Sequence, residues 1–566
     1  MTVVGIDLGT TNSLVAYWSE EGPKIIQNVF GDKLTPSVVS IDENDEILIG
    51  KVAKERLISH PNLTISAFKR YMGTDKKIQL GRHSFSPEEL SSFILKSLKE
   101  DAEAFLGEEV TEAVISVPAY FNDLQRKATK KAAEIAGLKV ERLISEPTAA
   151  AITYGLHQEE SETKFVVFDL GGGTFDVSIL EMFEGVMEVK AIAGNNFLGG
   201  EDFTNLLVNY FLDKEKIDLE TLSFKDRALL YKQGEMCKRS LGENGSGTMT
   251  FTLEESNYEV SINKLQFEKL ADKLLLKLSH PVERALMDAE ISPREVDAVI
   301  LIGGATRMPI IKNIVGKMFG KLPYSNINPD EAVALGAAIQ VALKERNEAL
   351  SEVILTDVCP YTLGIEIAKQ KNKNAFEAGY FSPIIERNTP IPVSRVESFV
   401  TVRDKQDKIS VKIYQGESRR VEENIKLGEL EVKVPKDKRG NQGIDVRFTY
   451  DINGILEVEV LVLSTGVKNR IVVNKNQEGM SEREIEKRLD ELKKIKIHPR
   501  DKMENKLLIA KAERMYEETL GEKRQYVGNL IEIFEQALYT QEERKVAKAA
   551  KEFRERLEQL EGWVDY

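Results

Sequence analysis

Val3-Val4-Gly5-Ile6-Asp7-Leu8-Gly9-Thr10-Thr11-Asn12-Ser13 runs straight into Leu14-Val15-Ala16-Tyr17, and the same order of residue types returns far downstream. There Phe165-Val166-Val167-Phe168-Asp169-Leu170-Gly171-Gly172-Gly173-Thr174-Phe175-Asp176 leads into Val177-Ser178-Ile179-Leu180. Each copy reads as a buried strand, an acid, a glycine-bearing turn with threonine, and a second strand. Glycine lets the backbone approach phosphate oxygens, and the amides and threonine hydroxyls donate to them. The carboxylate of Asp7 or Asp169 beside such a turn would hold a hydrated Mg²⁺, which keeps most of its waters and takes few protein ligands. Either loop alone is equally an ordinary hairpin with glycine in its turn. Two copies in one chain favour two related halves that close on a single nucleotide from opposite sides. No Gly-Lys-Ser or Gly-Lys-Thr occurs, which disfavours the P-loop class.

Bulk properties narrow the class. A chain of 566 residues is too long for one core and is expected to split into two to four domains. An apolar fraction of 42% with 30% charged residues describes a globular protein. The net charge of −14 argues against nucleic acid or anionic membrane as partners. Two cysteines, Cys237 and Cys359, exclude a disulfide framework and suit a reducing cytoplasm. No signal peptide and no apolar run of bilayer length is read, so a cytoplasmic location is expected.

Along the chain the texture changes. Residues 1 to about 345 alternate strand-like and helix-like runs, which predicts α/β architecture. Ala113–Val117 precedes Pro118 and an amphipathic stretch from Asp123 to Ala136 that ends at Gly137. Arg142–Ser145 precedes Glu146-Pro147, a helix start with proline in its first turn. Ala298–Ile302 leads into Gly303-Gly304-Ala305-Thr306-Arg307, and Asn328 to about Glu348 reads as one more helix. Glu352–Asp357 is a short apolar run. From Pro360 to about Val473 the period is two, with Asn453-Gly454 a hairpin signal between Arg447–Asp451 and Ile455–Val460. Ser481 to Tyr566 is charged, glycine-poor and helical, and Ser481 with Glu484 fits a capping box.

Ile6–Ser13, Phe168–Asp176 and Gly303-Gly304-Ala305-Thr306-Arg307-Met308-Pro309 resemble the three signatures of the seventy-kilodalton heat-shock chaperones, the DnaK family. Val117-Pro118-Ala119-Tyr120-Phe121-Asn122-Asp123 and Asn328–Ala334 match as well. The resemblance covers essentially the whole chain and weakens after about residue 480. Val353 to Gly364 together with Phe381–Thr389 most resembles the divergent branch called HscC. The implied layout is an actin-like, two-lobed α/β ATPase domain (1–350), an apolar linker (351–358), an antiparallel β-sandwich that binds peptide (359–476) and a short α-helical lid (477–566). The implied function is that of an ATP-dependent chaperone. Nucleotide would control binding and release of extended apolar peptide, with ATP or ADP, Mg²⁺ held mostly through water, and K⁺ as cofactors.

The same resemblance assigns residues. Lys69 matches a lysine reaching the γ-phosphate and attacking water, Glu146 a carboxylate near Mg²⁺ and that water, and Thr174 a threonine near the γ-phosphate; Asp169 joins them in the catalytic set. Asp7, Asp169 and Asp176 match the acids around the cations. Gly9, Thr10, Thr11, Asn12, Gly171, Gly172, Gly173, Gly199, Gly200, Gly303, Gly304 and Asp330 match nucleotide contacts, and Glu235, Lys238 and Arg307 match adenosine contacts, with the arginine plane on the base. Pro118 and Arg126 match a proline switch and its relay, and Val353, Ile354, Leu355 and Asp357 the docking linker. Ile365, Phe399, Ile409 and Val411 match a pocket for one aliphatic side chain, with Ala368 and Val402 arched over it.

Read from the residues alone, several of these stay open. Lys69 is equally a solvated surface lysine, Glu146 a first-turn helix acid, and Glu235 with Lys238 an i, i+3 ion pair. Pro118 is equally a strand-end proline and Arg126 a helix-surface arginine, while the peptide-pocket positions are equally core. Some residues depart from the family pattern: Ala368 replaces a bulkier residue, Thr356 a leucine-like one, and Gly242 a serine that often contacts the base. The chain stops at Asp565-Tyr566, so a short lid is expected. Cys237 and Cys359 are expected to be buried structural thiols, and His498 to lie in a loop. A J-domain co-chaperone and a nucleotide-exchange factor are the implied protein partners. Against the chaperone reading stand a small-molecule kinase of the actin and sugar-kinase superfamily and a filament-forming ATPase of the same fold. Both leave residues 360 to 566 without a role.

Overall fold

A computed structural model describes residues 2–155, 162–183, 186–253, 256–324, 328–344, 354–372, 375–451, 454–473 and 498–561. Val353, Asn453, the Ser481 and Glu484 pair and the chain end at 565–566 therefore lie outside the described residues. The chain divides into two compact units. Among the described residues, one comprises 2–361 with Arg387–Pro390, the other Thr362–Glu386, 391–473 and 498–561.

The first unit repeats one motif around each of the two loops. The strand Thr2–Asp7 runs parallel to Val110–Val117 and turns back antiparallel as Asn12–Ser19. The strand Glu162–Leu170 runs parallel to Ala298–Ile302 and turns back antiparallel as Phe175–Phe183. Both are near-continuous apolar runs, as strands covered on both faces require. Lys139–Ser145 and Gly22–Ile26 flank the first sheet; Val186–Asn195 and then Ile354–Val358 extend the second. The pairing of these two is parallel and short: Val186 with Ile354, Met187 with Leu355, Glu188 with Thr356; the two-residue strand that holds Pro390 follows Ile354–Val358 in the strand order.

Two alanine-rich helices pack on these sheets. Helix Glu146–Gly155 and helix Ala332–Lys344 meet so closely that a Cβ on Gly336 would lie 1.9 Å from the Ala149 carbonyl oxygen. Gly5 faces Ala338 in the same way, its added Cβ falling 2.3 Å from the Ala338 nitrogen. Only small residues permit such approach at interior packing density. The second helix begins at Ala332, four residues later than the sequence pattern places it. Residues 328–331 form a turn instead, in which the Asn328 side chain accepts from the Asp330 amide at 3.2 Å. Helix Asp123–Ile135 starts on an Asn122 capping box, as its amphipathic pattern predicts.

The second unit holds two antiparallel sheets. One orders Ala375–Ile385, Leu363–Asn372, Lys408–Gln415 and Ile425–Lys433; the other Val393–Val400, Gly443–Tyr450, Leu456–Val462 and Lys468–Val472. Their alternating residues Val411, Ile413, Val446, Phe448, Val458 and Val460 are fully buried. Gly454, at φ +81°, and the Asp451 amide bonded to Ile455 carbonyl at 3.0 Å close the predicted hairpin. Helices Met503–Glu518, Gly521–Tyr539 and Glu543–Glu561 share an apolar core that includes stacked Phe534 and Phe553. The turn between the last two helices reaches the edge strand Val393–Val400. Gln541 accepts from the Val396 amide at 3.1 Å and donates to its carbonyl at 2.9 Å. Cys237 and Cys359 are buried. His498 opens a short turn, where its ring accepts from the Arg500 amide. Among the described residues no helix is long and apolar enough to cross a membrane.

Candidate functional site

The two loops of the sequence repeat face each other. A Cβ on Gly172 would lie 2.2 Å from Thr11 Cγ2, and one on Gly173 would lie 2.7 Å from Thr10 Cγ2. Any side chain at either position would push the loops apart, so the double glycine is what allows this meeting. In the first loop the Gly9 amide donates to Ser13 Oγ at 3.2 Å; in the second the Gly171 amide donates to the Thr174 carbonyl at 3.1 Å. The amides of Thr10, Thr11, Gly172 and Gly173 have no acceptor among the described residues. They form a set of donors in want of an anion.

Acids gather behind these loops. Asp7 ends its strand, and Asp169 and Asp176 stand directly opposite each other across the Glu162–Leu170 and Phe175–Phe183 pairing. Like charges so placed repel. Burial pushes the Asp7 carboxyl up to about 7; the charge of Glu146 adds to this, and Lys69 and a 2.8 Å hydrogen bond from Ser116 oppose it. Burial likewise pushes Asp176 up to about 7, with Glu146 adding to it and the Tyr120 amide, donating at 3.0 Å, opposing it. Asp169 is raised well above the ordinary carboxylate range by burial and then by Glu146, Asp176 and Asp7. Asp176 Oδ2 is buried without a hydrogen-bond partner.

Lys69 answers these charges, and Arg126 adds to it at Asp176. Lys69 lies in a short turn, Phe68–Tyr71, entered through Ala67 in the left-handed region at φ +56°. Its Nζ donates to Glu146 Oε1 at 2.8 Å and sits 5.6 Å from the centre of the Phe121 ring. The Lys69 side chain is only 4% exposed and that of Glu146 9%, which removes the solvated-lysine alternative. Four carboxylates around one ammonium leave an excess of negative charge in a dry site, and burying it uncompensated is costly. An added cation fits that excess and the orphaned Asp176 oxygen. Among the described residues no three acids converge tightly enough to chelate an ion directly.

The remaining predicted residues extend the cleft on two sides. Gly199 and Gly200 abut the second loop: the Gly200 amide donates to the Gly171 carbonyl and that of Glu201 to the Gly172 carbonyl, both at 2.9 Å. Lys238 donates to the Gly200 carbonyl at 2.9 Å and pairs with Glu235 at 2.6 Å, so the helix ion pair forms and also ties its helix to the loop. Gly303 follows the parallel neighbour strand, where an added Cβ would strike the Leu170 carbonyl. Beside Gly304, Arg307 bonds Asp330 at 2.5 Å and Asn328 at 3.0 Å, and its side chain is 57% exposed. Asn12 begins the first return strand and Thr174, buried, closes the second turn. Sequence reasoning missed Arg70, which donates to the Gly173 carbonyl at 3.0 Å and to Asp202 at 2.7 Å, Thr204, which accepts from Lys238 at 2.9 Å and donates to Glu235 at 2.8 Å, and also Ser116 and Tyr120. Position next to Lys69 was the one clue to Arg70; the others are contacts that only folding creates.

Pro118 leaves strand Val110–Val117 and begins the turn that carries Tyr120 and Phe121. Arg126 lies along that turn, donating to the Phe121 carbonyl at 3.2 Å and the Ala119 carbonyl at 3.4 Å. Ile354, Leu355 and Asp357 lie in the strand Ile354–Val358, where Asp357 accepts from the Val358 amide at 2.8 Å. Thr356 keeps its place in that pairing, its hydroxyl 3.4 Å from the Met187 carbonyl.

In the second unit Ile365 and Val411 are buried at 3% and 1%, while Phe399, Val402, Ile409 and Ala368 are partly exposed. Ile409 and Val411 share one face of strand Lys408–Gln415 and Ile365 is paired to Ile413 beside them. Ala368 falls at a register shift between Ile367 and Lys369, so it bulges out of the ladder. Phe399 belongs to the other sheet and Val402 to the loop after it.

Duplicated strand-loop-strand units, orphaned amides and an acid cluster with one lysine define a protein that clamps an anion together with a cation. The family model described as Hsp70 protein matches residues 3–565. The protein named Chaperone protein DnaK from Thermotoga petrophila is 43% identical over 510 residues, covering 87% of this chain and 83% of its own, and the Thermotoga maritima protein of that name gives the same figures. The one from Thermosipho melanesiensis is 41% identical over 528 residues, covering 90% and 86%. The chain belongs to the Hsp70 family. It is thus an ATP-dependent molecular chaperone that hydrolyses ATP and uses Mg²⁺ with ATP or ADP, rather than a small-molecule kinase.

Proposed function

We propose that ATP, closing the cleft between the two loops, controls a peptide-binding β-sandwich through the strand Ile354–Val358. The observation that carries this is the meeting of Thr10 and Thr11 with Gly172 and Gly173, with the buried Lys69–Glu146 pair in the same unit. In this reading residues 1–350 are the two-lobed ATPase domain, 351–358 the linker, 359–476 the peptide-binding sandwich and 477–566 the lid.

The orphaned loop amides and Thr174 hold the phosphates, and Lys69 neutralises charge on the transferring group while Glu146 orients it from behind. Asp7, Asp169 and Asp176 would hold Mg²⁺ through its waters, with K⁺ beside it, and the ion would supply further neutralisation of that charge. Among these residues none is a strong free base, so slow hydrolysis, suited to a timer, is expected. Glu235, Lys238 and Arg307 line the adenosine side; contact of Arg307 with the base requires it to leave Asp330.

Extended apolar segments of client proteins are the proposed ligand of the second unit. Ile365 and Val411 form the floor of the pocket, Phe399 and Ile409 its walls, and the bulged Ala368 with Val402 an arch that is loose because alanine is small. A J-domain protein and a nucleotide-exchange factor are proposed partners, the HscC branch the proposed affiliation, and the cytoplasm the proposed location, in keeping with two buried thiols. Coupling of this kind is reciprocal: if ATP weakens peptide binding, peptide must weaken ATP binding. The test is peptide affinity with ATP and with ADP, on the intact protein and on Lys69→Ala. The expected result is a nucleotide-dependent affinity that the variant loses. Equal affinity in both nucleotides for the intact protein sinks the mechanism.

A further inference from the structure

The turn that follows strand Val110–Val117 is gripped by more than Arg126. Asn196 Nδ2 donates to the Tyr120 carbonyl at 3.2 Å, and the Tyr361 hydroxyl donates to the same oxygen at 3.0 Å. The two tyrosine rings pack together with centroids 4.5 Å apart. The Tyr120 amide in turn donates to Asp176 Oδ1 at 3.0 Å, which leaves Oδ2 as the oxygen without a partner. All of these residues belong to the first unit. Tyr361 stands three residues past the end of the strand Ile354–Val358. A largely buried phenol needs a partner, and burial holds its pKa far above the ordinary tyrosine value, so the hydroxyl stays a donor.

We propose that Tyr361 is a positioning residue for nucleotide hydrolysis: its hydroxyl fixes the Tyr120 backbone, and Tyr120 fixes Asp176. The segment just after the strand Ile354–Val358 thereby reports its own placement to the carboxylates behind the two loops. A residue with an apolar side chain at 361 could pack on Tyr120 but could not hold its carbonyl. The inference rests on the reading of Asp176 as a cation-holding carboxylate.

The test uses the full chain with Tyr361→Phe, Asp176→Asn and the double variant. Steady-state hydrolysis is measured at varied ATP and at varied Mg²⁺, with melting temperatures as a folding control. Loss of one positioning hydrogen bond is expected to lower kcat about fivefold. The Mg²⁺ concentration for half-maximal rate should rise while the ATP KM and the melting temperature hold. In the Asp176→Asn background the same change should have no further effect, because both act through one carboxylate. Wild-type kcat and Mg²⁺ response in Tyr361→Phe overturn the proposal, as does an undiminished fivefold effect on top of Asp176→Asn. An Asp176→Asn variant with a wild-type Mg²⁺ response instead overturns the reading of Asp176, and the proposal with it.

Discussion

Gly336→Ala should damage both stability and hydrolysis through a helix crossing that holds no ligand. The added Cβ would lie 1.9 Å from the Ala149 carbonyl oxygen and 2.4 Å from its carbon, whereas ordinary contact begins near 3.4 Å. The helices must therefore separate by about 1.5 Å, the difference of those distances. The obstacle is backbone, which cannot swing aside. Overpacking of this kind costs about 3 kcal/mol, and the better helix propensity of alanine returns about 1 kcal/mol. A net loss of about 2 kcal/mol remains, or roughly 4 °C in the melting temperature of a unit this large. Ala149 lies three residues after Glu146 on the same helix, so the shift also reaches the 2.8 Å Lys69–Glu146 contact. Displacement of about 1 Å at a catalytic group can cost about 100-fold in rate. The assay is thermal melting with single-turnover ATP hydrolysis, set beside Gly242→Ala as a control. That glycine also lies within a helix, but its added Cβ meets Pro309 at an ordinary 3.5 Å, so the control should be neutral or stabilising. Wild-type melting and hydrolysis in Gly336→Ala would refute the reasoning.

Asp176→Asn should stabilise the nucleotide-free protein in a pH-dependent way. The folded carboxyl titrates at about 7 against 3.8 for an unperturbed one, so wild-type stability is lost as pH rises between these values; the melting-temperature gain of the variant should be near zero at pH 4 and full above pH 7. Gln541→Ala should free the edge of strand Val393–Val400, because both backbone groups of Val396 lose their partner. A cost of about 1–2 kcal/mol predicts hydrogen exchange at the Val396 amide about tenfold faster or more, and unchanged exchange there would remove the helical turn as a cover for that edge.

Much of the first unit was legible because its signals are local. Strand Ala298–Ile302 and helix Asp123–Ile135 match their sequence patterns almost to the residue, since apolar runs and capping residues act within a few positions. The start at Ala332 was misplaced because Asn328 and Pro329 can open a helix or a turn, and the Asn328 side chain decides for the turn. The two loops were readable as a pair, yet their contact was not: nothing in Gly172-Gly173 says that Thr10 and Thr11 will stand against them. Lys69 shows the same limit. A lysine reads as exposed by default, and only the burial of Glu146 beside it turns it into the counter-charge of an acid cluster. Tyr361 and Asn196 were invisible because each acts on a backbone carbonyl, and carbonyls leave no mark in a sequence.

The parallel pairing of Ile354–Val358 with Val186–Asn195 spans three residue pairs. At about 0.5–1.5 kcal/mol net for each backbone hydrogen bond, a ladder of this length is worth only roughly 2–4 kcal/mol. Taken alone, this pairing would favour attachment roughly thirty- to a thousandfold, so a ligand must prefer the detached state by more than that factor to invert it. Lengthening this pairing by one well-paired residue should therefore shift that balance by a further factor of roughly two to twelve, the equivalent of about 0.5–1.5 kcal/mol.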